Sequence, residues 1–293
     1  MTHDHTQGSE PSVFVKSIEA RQQQFATPQA RLQAIVKYCR ELTDATLPPV
    51  PAMQKIGSDS SQHFKSVMIS FFSELHNRFL LKPESHVFDL GCGSGRLAYP
   101  FAQLLNEHGK YYGADVWQEG IDLCVKQFPQ AHMSFHHIPA KNNYYYDRFK
   151  NDTPNNFSLA FLPTNSLDLV FAISVFTHLI EEDTRAYLRE FKRALKPNGC
   201  AFITCNIIDK FFFDFAHAKQ ITHAFVEVTP GQYNAYEGQD FFAGYTRRKW
   251  EQMALDAGLE VISLERGDWA NKPGARTYQD ILVLMHARDV DNV

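Results

Sequence analysis

The sequence lacks the features that would direct a chain to a membrane or to nucleic acid. Its longest apolar stretch, residues 169–176, is interrupted by Ser174 and is far too short to span a bilayer. The first thirty residues contain no apolar segment typical of a secretory signal. The chain carries 29 basic and 33 acidic residues, so it has no excess of positive charge to bind phosphates. We therefore expect a cytoplasmic protein with neither a membrane nor a nucleic-acid partner.

Cysteine is also scarce, and its spacing excludes the common zinc and redox motifs. The five cysteines form no CxxC pair, and the chain contains no HExxH sequence. An odd number of widely spaced cysteines is typical of reduced thiols in the cytosol. The sequence therefore predicts no disulfide framework and no metal centre.

The chain of 293 residues is long enough for one large domain with an extension. We predict that residues 1–60 form a helical N-terminal extension, with a helix over 13–44 and an extended Pro-rich connector at 47–51. The main domain is predicted over 61–293, and an amphipathic helix over 58–81 opens it.

From residue 85 onward, short apolar runs alternate with helical patterns. The predicted strands are 86–90, 110–116, 133–138, 166–173, 200–205, 259–265 and 279–287. The predicted helices are 96–106, 118–127, 183–195 and 246–257. Such alternation indicates an α/β fold with a mostly parallel sheet. Residues 141–163 and 206–244 interrupt the pattern, and we predict that 206–244 forms a lid over a substrate.

A glycine-rich turn separates the first predicted strand from the helix that follows it. Gly91, Gly93 and Gly95 have the spacing GxGxG, and Arg96 occupies the third-glycine position of the dinucleotide motif GxGxxG. This departure disfavours a nicotinamide oxidoreductase. Asp115 ends the next strand, 24 residues after Gly91, where a carboxylate can accept both hydroxyls of a ribose. The alternative for the turn alone is a tight connection without a ligand.

The segments 87–97, 112–115, 167–179 and 187–205 together resemble the class I S-adenosylmethionine-dependent methyltransferases. The resemblance covers about residues 64–287. It implies a Rossmann-like sheet of seven strands, mostly parallel with an antiparallel last strand, and S-adenosylmethionine as cofactor. Pro139 stands where the family often has an acidic residue for adenine, so backbone or Asn142 would hold that base.

The resemblance also implies the cofactor contacts residue by residue. Arg96 would reach the methionine carboxylate or cap a neighbouring acid. Ser174 would lie near the methionine, and Asp89 near the cofactor's amino group. The remaining implied contacts are the turn residues Gly91, Cys92, Gly93 and Gly95 under the methionine and ribose, Asp115 at the ribose hydroxyls, and Val116 and Trp117 beside adenine.

The acceptor side has weaker signals. His178 follows the fourth predicted strand and is either a general base or a residue with a local structural bond. Aromatic residues of the insertion either line an acceptor pocket or pack the insertion onto the sheet; the candidates are Phe211, Phe212, Tyr233 and Tyr236.

Three functions remain open beside each other. The aromatic insertion and the acidic balance favour methylation of a small organic acceptor at oxygen or nitrogen. The alternatives are a methyltransferase for protein or RNA, and a non-catalytic protein that binds the cofactor. The helical residues 13–44 would either cover the site or form a homodimer interface.

Overall fold

The structure, a computed structural model, describes residues 27–139, 159–210, 212–214, 225–237, 240–270 and 274–288. Its strands are β1 His86–Leu90, β2 Lys110–Asp115, β3 Met133–His137, β4 Leu167–Ala172, β5 Leu195–Cys205, β6 Val226–Thr229, β7 Gln232–Glu237, β8 Asp240–Tyr245, β9 Leu259–Glu265 and β10 Asp280–His286. Seven of them form one sheet in the order β3-β2-β1-β4-β5-β10-β9. Only β10 runs against its neighbours in this sheet. The predicted Rossmann-like sheet with an antiparallel last strand is confirmed.

Helices cover both faces of this sheet. Their bounds are α1 Pro28–Glu41, α2 Val50–Lys55, α3 Ser61–Phe79, α4 Ala98–Leu104, α5 Gln118–Gln127, α6 Glu181–Ala194 and α7 Arg247–Asp256. Helices α1, α3, α4 and α5 pack on one face, and α6 and α7 pack on the other. Side-chain oxygens of Thr27, Ser60 and Thr246 cap the first turns of α1, α3 and α7. None of the described helices is long and apolar enough to cross a membrane.

The strand residues alternate between the two buried layers. Along β1, Val87 belongs to the layer under α3 and α4, whereas Phe88 belongs to the layer under α6 and α7. Phe101 stacks on Phe171 at 5.4 Å in the first layer, and Phe88 meets Phe191 edge to face at 6.4 Å in the second. Burial of each such ring contributes about 1.5–3 kcal/mol. Many of the 24 phenylalanines therefore belong to the core, which holds the sheet in place.

The Pro-rich segment at 47–51 is not the extended connector that the sequence predicted. Helix α2 begins at Val50 with Pro49 at its N-cap and Pro51 in its first turn. A proline is tolerated there because the first backbone N–H groups of a helix have no partner within it. Residues 47–49 lie outside a helix as predicted, but the prediction was wrong at residues 50–51 because it treated the prolines as helix breakers irrespective of their position.

Strand β5 begins earlier than predicted, at Leu195 rather than at residue 200. Leu195 pairs with Leu167 and Cys200 pairs with Leu169, so the partner strand advances two residues while β5 advances five. Residues 196–199, which lie between the predicted helix and the predicted strand, are therefore an irregularity inside the strand pairing.

Strands β6, β7 and β8 form a second, antiparallel sheet that the sequence analysis did not predict. This sheet lies within the insertion at 206–244. Tyr245 exchanges backbone hydrogen bonds of 3.0 Å with Asn206 and Ile208, immediately after β5. The insertion is thereby joined to the carboxyl ends of the parallel strands.

Candidate active site

The glycine turn after β1 needs residues without side chains. Gly91 and Gly93 have φ values of 80° and 55°, in the left-handed region. A Cβ on Gly93 would lie 2.6 Å from Ile56, and one on Gly91 would meet Val175. The N–H groups of Gly91 and Cys92 both donate to the carbonyl oxygen of Ala114 at the end of β2. The turn is thus fastened to the neighbouring strand.

Asp115 lies across from this turn, and its carboxylate is held by two backbone donors. Oδ2 accepts the N–H of Gly93 at 2.8 Å, and Oδ1 accepts the N–H of Trp117 at 2.9 Å. Burial raises the pKa of Asp115, and these backbone hydrogen bonds oppose that rise. Each carboxylate oxygen keeps capacity for a further hydrogen bond. The group therefore fits a ligand with two adjacent hydroxyls, such as a ribose.

Asp89 is the next-to-last residue of β1, near this carboxylate, and is only 4% exposed. The hydroxyl of Tyr111 donates to its Oδ2 at 2.6 Å. Burial raises the pKa of Asp89 to about 7, and the nearby charge of Asp115 adds to the rise. A cation bound beside Asp89 would restore its charged form. The position thus fits the amino group that the resemblance assigns to it.

Arg96 ties the glycine turn to the end of α2. Its guanidinium donates to the carbonyl oxygen of Ile56 and lies 5.4 Å from the centre of the Phe64 ring. Burial lowers the pKa of Arg96 to about 10, and Asp89 opposes that change. Nε is buried without a hydrogen-bond partner in the structure. A bound carboxylate would satisfy that N–H, which agrees with the expected contact to methionine.

One cavity of about 630 Å³ connects these groups with the ends of β4 and β5. Nine of the ten predicted cofactor residues line it: Asp89, Gly91, Cys92, Gly93, Arg96, Asp115, Val116, Trp117 and Ser174. Gly95 does not, since a Cβ there would point at Phe128 and Cys124. Ile138 lines the cavity near the expected adenine, whereas Asn142 lies outside the described residues.

Ser174 follows β4 and has a left-handed backbone, with φ of 59°. Its N–H donates to the Thr204 hydroxyl at 2.7 Å, and its own hydroxyl donates to Gln279 at 3.0 Å. These bonds hold an unusual conformation for serine at the point where β4 opens into the cavity. Gln279 was not identified from the sequence, because no motif surrounds it.

His178 ends a short 3₁₀ helix, Phe176–His178, and lines the same cavity. Its Nδ1 lies 2.6 Å from the carbonyl oxygen of Phe241. A carbonyl can only accept, so Nδ1 carries the proton, and in the neutral ring the lone pair is on Nε2. This tautomer can accept a proton from a ligand. The local structural bond and the basic role are therefore compatible.

Two lining residues of α6 were not among the predicted site residues. Asp183 and Tyr187 are four residues apart and are both 4% exposed. Burial raises the pKa of Asp183 to about 6, and the charge of Glu182 adds to the rise. The spacing of an acid and a tyrosine on the buried face of a helix was the available signal.

The predicted aromatic residues of the insertion lie elsewhere. Phe212 stacks on Trp269 at 5.2 Å, Tyr233 packs on a neighbouring ring, and Tyr236 is 68% exposed. Phe211 lies outside the described residues. Phe242 lines the cavity instead. Tyr236 pairs with Phe241 in the neighbouring strand β8. Successive residues of a strand face opposite sides of the sheet, so Phe242 faces the other side from Phe241.

Comparison with known proteins gives one family match within this region. The sequence model described as a methyltransferase domain matches residues 88–201, which contain the glycine turn, Asp115 and β4. A tRNA N(3)-cytidine methyltransferase of Gallus gallus is 27% identical over 119 residues, or 39% of this chain and 28% of the relative. An arsenite methyltransferase of Aquipseudomonas alcaligenes is 29% identical over 113 residues, or 39% of this chain and 30% of the relative. The chain spans less than a third of the length of these curated relatives.

A solved structure of similar fold covers most of the chain. It is a Burkholderia thailandensis 1,6-didemethyltoxoflavin-N1-methyltransferase with bound 1,6-didemethyltoxoflavin and S-adenosylhomocysteine. The TM-score is 0.51 at 14% identity, over 90% of this chain and 92% of that one. At this identity the likeness shows the fold alone. The matched domain, the sheet order and the glycine turn support a class I S-adenosylmethionine-dependent methyltransferase, an enzyme whose cofactor is S-adenosylmethionine.

Proposed function

We propose that this protein is a cytoplasmic enzyme that methylates an oxygen or nitrogen atom of a small organic acceptor. The observation that carries the proposal is a cavity of about 630 Å³ that joins the Asp115 carboxylate to His178. Cavities of roughly 300–1,000 Å³ are typical of sites for small ligands. A cofactor site and an acceptor site in one cavity would allow direct transfer between two bound molecules.

The cofactor would occupy the part of the cavity over β1 and β2. Asp115 would accept the ribose hydroxyls, Asp89 would face the amino group, and Trp117 would lie beside adenine. When bound, S-adenosylmethionine supplies a methyl group attached to a positively charged sulfur. A nucleophile can attack this methyl group in line with the sulfur, which is the leaving group. The turn residues and Arg96 orient that end of the ligand, so most of the rate gain comes from alignment and exclusion of water.

The acceptor would occupy the part of the cavity between Ser174 and Phe242. The Nε2 lone pair of His178 can take a proton from an attacking hydroxyl or N–H group. Leu179 and Tyr187 shield this part from solvent because both are largely buried. Phe242 gives the insertion at 206–244 one wall of the acceptor site, which supports its proposed role as a lid.

The tRNA-methylating relative makes a nucleic-acid acceptor the second candidate. Binding of RNA depends on lysine and arginine that neutralise phosphates. Among the described lining residues, the lysine and arginine are Lys55 and Arg96, and both lie on the cofactor side. The acceptor side instead contains Asp183. This distribution of charge favours the small acceptor.

The experiment offers both acceptor classes to the purified protein. S-adenosylmethionine with a radioactive methyl group is incubated with a macromolecule-free metabolite extract and, separately, with total tRNA. We expect label in the metabolite fraction, and micromolar binding of S-adenosylhomocysteine by calorimetry. Label only in tRNA would contradict the small acceptor. Cofactor binding without label in either fraction would support the non-catalytic alternative.

A further inference from the structure

Gln279 lies at the acceptor side of the cavity, away from the glycine turn. It immediately precedes β10, whose first residue, Asp280, pairs with Cys205 in antiparallel register. Gln279 is therefore just beyond the carboxyl end of β5, two strands from the turn at the end of β1. Gln279 lines the cavity together with the neighbouring Tyr278.

Two hydroxyl groups fix the orientation of the Gln279 amide. Thr204 is fully buried, and its hydroxyl oxygen accepts the N–H of Ser174 at 2.7 Å. Its own proton is donated to Oε1 of Gln279 at 2.6 Å, and the Ser174 hydroxyl donates to the same oxygen at 3.0 Å. These two donors use the acceptor capacity of Oε1. The amide nitrogen is thereby directed away from Thr204 and Ser174.

The two N–H groups of that amide are available to a ligand. Across the described residues, Nε2 of Gln279 forms no hydrogen bond, while Oε1 forms two. Because the side chain lines the cavity, a ligand there can accept from Nε2. An amide donor pair recognises a hydrogen-bond-accepting atom such as a carbonyl oxygen.

The backbone beside Gln279 is held on both sides. The carbonyl oxygen of Gln279 accepts from the Thr277 hydroxyl at 2.9 Å, and Trp269 N–H donates to Tyr278 at 2.8 Å. The carboxylate of Asp280, which is fully buried, accepts the backbone N–H groups of Ile207 and Gly267 at 2.7 Å each. The amide is therefore positioned before any ligand arrives, which lowers the entropy lost on binding.

We propose that Gln279 binds the acceptor and that the acceptor presents a neutral carbonyl oxygen to its amide. This inference rests on the proposed function, since it names the substrate class of the same site. A carboxylate group would favour a cationic partner. Among the described residues that line the cavity, however, the lysine and arginine both lie at the cofactor end. The Nζ of Lys55 is 4.4 Å from the centre of the Trp117 ring, and Arg96 donates to the carbonyl oxygen of Ile56. Asp183 on the acceptor side would repel an anion.

The test compares three probes that share a benzene ring and differ in the attached group: benzamide, benzoate and benzylamine. Each is titrated by ligand-observed NMR into full-length protein saturated with S-adenosylhomocysteine. We expect the wild type to bind benzamide about tenfold more tightly than the other two, as one lost hydrogen bond predicts. Gln279→Glu keeps the oxygen that Thr204 and Ser174 bond but replaces the donor. Benzamide should bind about tenfold more weakly to it, and benzylamine more tightly.

Two further variants separate the amide from general effects. Gln279→Met removes the donor without adding charge, so it should lose the preference for benzamide and gain none for benzylamine. Gln62→Glu makes the same chemical change on the exposed surface of α3 and should bind like the wild type. Wild-type affinity for benzamide in both Gln279 variants, or preference of the wild type for benzoate, would overturn the inference. Failure of the wild type to bind S-adenosylhomocysteine would instead overturn the proposed function.

Discussion

The two halves of the cavity are built in different ways. The cofactor half comes mainly from one stretch of chain: the β1 end, the glycine turn and the β2 end, held by backbone hydrogen bonds to Ala114 and Asp115. The acceptor half is assembled from side chains of separate segments, such as His178, Phe242 and Gln279. A local motif thus builds the proposed cofactor half, whereas tertiary structure builds the proposed acceptor half. The following predictions test that division.

The largest expected effect is on cofactor binding by Asp115→Ala. The change removes the carboxylate that is proposed to accept hydrogen bonds from both ribose hydroxyls. Each hydrogen bond to a charged group is worth about 1.5–3 kcal/mol. We expect affinity for S-adenosylhomocysteine to fall about a thousandfold, measured by calorimetry.

The matched control for this change is Asp122→Ala on α5. Asp122 is exposed and accepts a hydrogen bond from Gln118 rather than lining the cavity. Thermal melts should confirm that both variants fold. Unchanged affinity in folded Asp115→Ala would refute the ribose assignment, and the cofactor half would then depend on the backbone alone.

The next effect lies in the acceptor half and should leave the cofactor half intact. His178→Ala removes the Nε2 lone pair that would take the acceptor's proton. General bases contribute about 10²–10⁴-fold, so we expect turnover to fall at least about a hundredfold with unchanged binding of S-adenosylhomocysteine. His63→Ala, another lining histidine, is the control. Normal turnover in His178→Ala would exclude His178 as the base.

The third effect is a pH dependence that belongs to the cofactor half. Burial raises the pKa of Asp89 to about 7 in the free protein, and a bound ammonium group would lower it again. Binding then releases a proton, so affinity falls as pH drops below about 7. We expect S-adenosylhomocysteine to bind about tenfold more weakly at pH 6 than at pH 8.

Asp89→Asn distinguishes the contribution of Asp89 to this pH dependence from that of Asp115, because burial also raises the pKa of Asp115. The variant should bind more weakly than the wild type at pH 8 but lose most of the difference between pH 6 and pH 8. A wild type with equal affinity at both values would contradict the proposed contact between Asp89 and the amino group.

The same division explains what the sequence could predict. The strands around the glycine turn alternate regularly with helices. Gly91 follows β1 and Asp115 ends β2, so their spacing predicts that the ends of these two strands are neighbours. Nine of the ten predicted cofactor residues accordingly line one cavity. The residue that does not, Gly95, has a left-handed backbone with φ of 82°, and a Cβ there would lie against Phe128 in the core.

The acceptor half could not be predicted in this way. Gln279 is more than a hundred residues from Ser174, and only the antiparallel pairing of β10 with β5 brings them together. The described aromatic candidates, Phe212, Tyr233 and Tyr236, do not line the cavity, whereas Phe242 on β8 does. Because the pairing of β7 with β8 had not been predicted, the sequence could not show that Phe242 would line the cavity.

The smallest expected effect asks whether the N-terminal helices belong to the cofactor half. Lys55, the last residue of α2, places Nζ 4.4 Å above the Trp117 ring that would flank adenine. Exposed cation–π pairs are worth about 0.5–1 kcal/mol, so Lys55→Gln should weaken binding of S-adenosylhomocysteine about threefold in calorimetry. Lys37→Gln on α1, where the lysine pairs with Glu41, removes the same charge elsewhere and should have no effect. Equal affinities in the two variants would show that α2 only covers the turn through Ile56. A threefold difference would make α2 part of the cofactor site, although it lies some forty residues before the glycine motif.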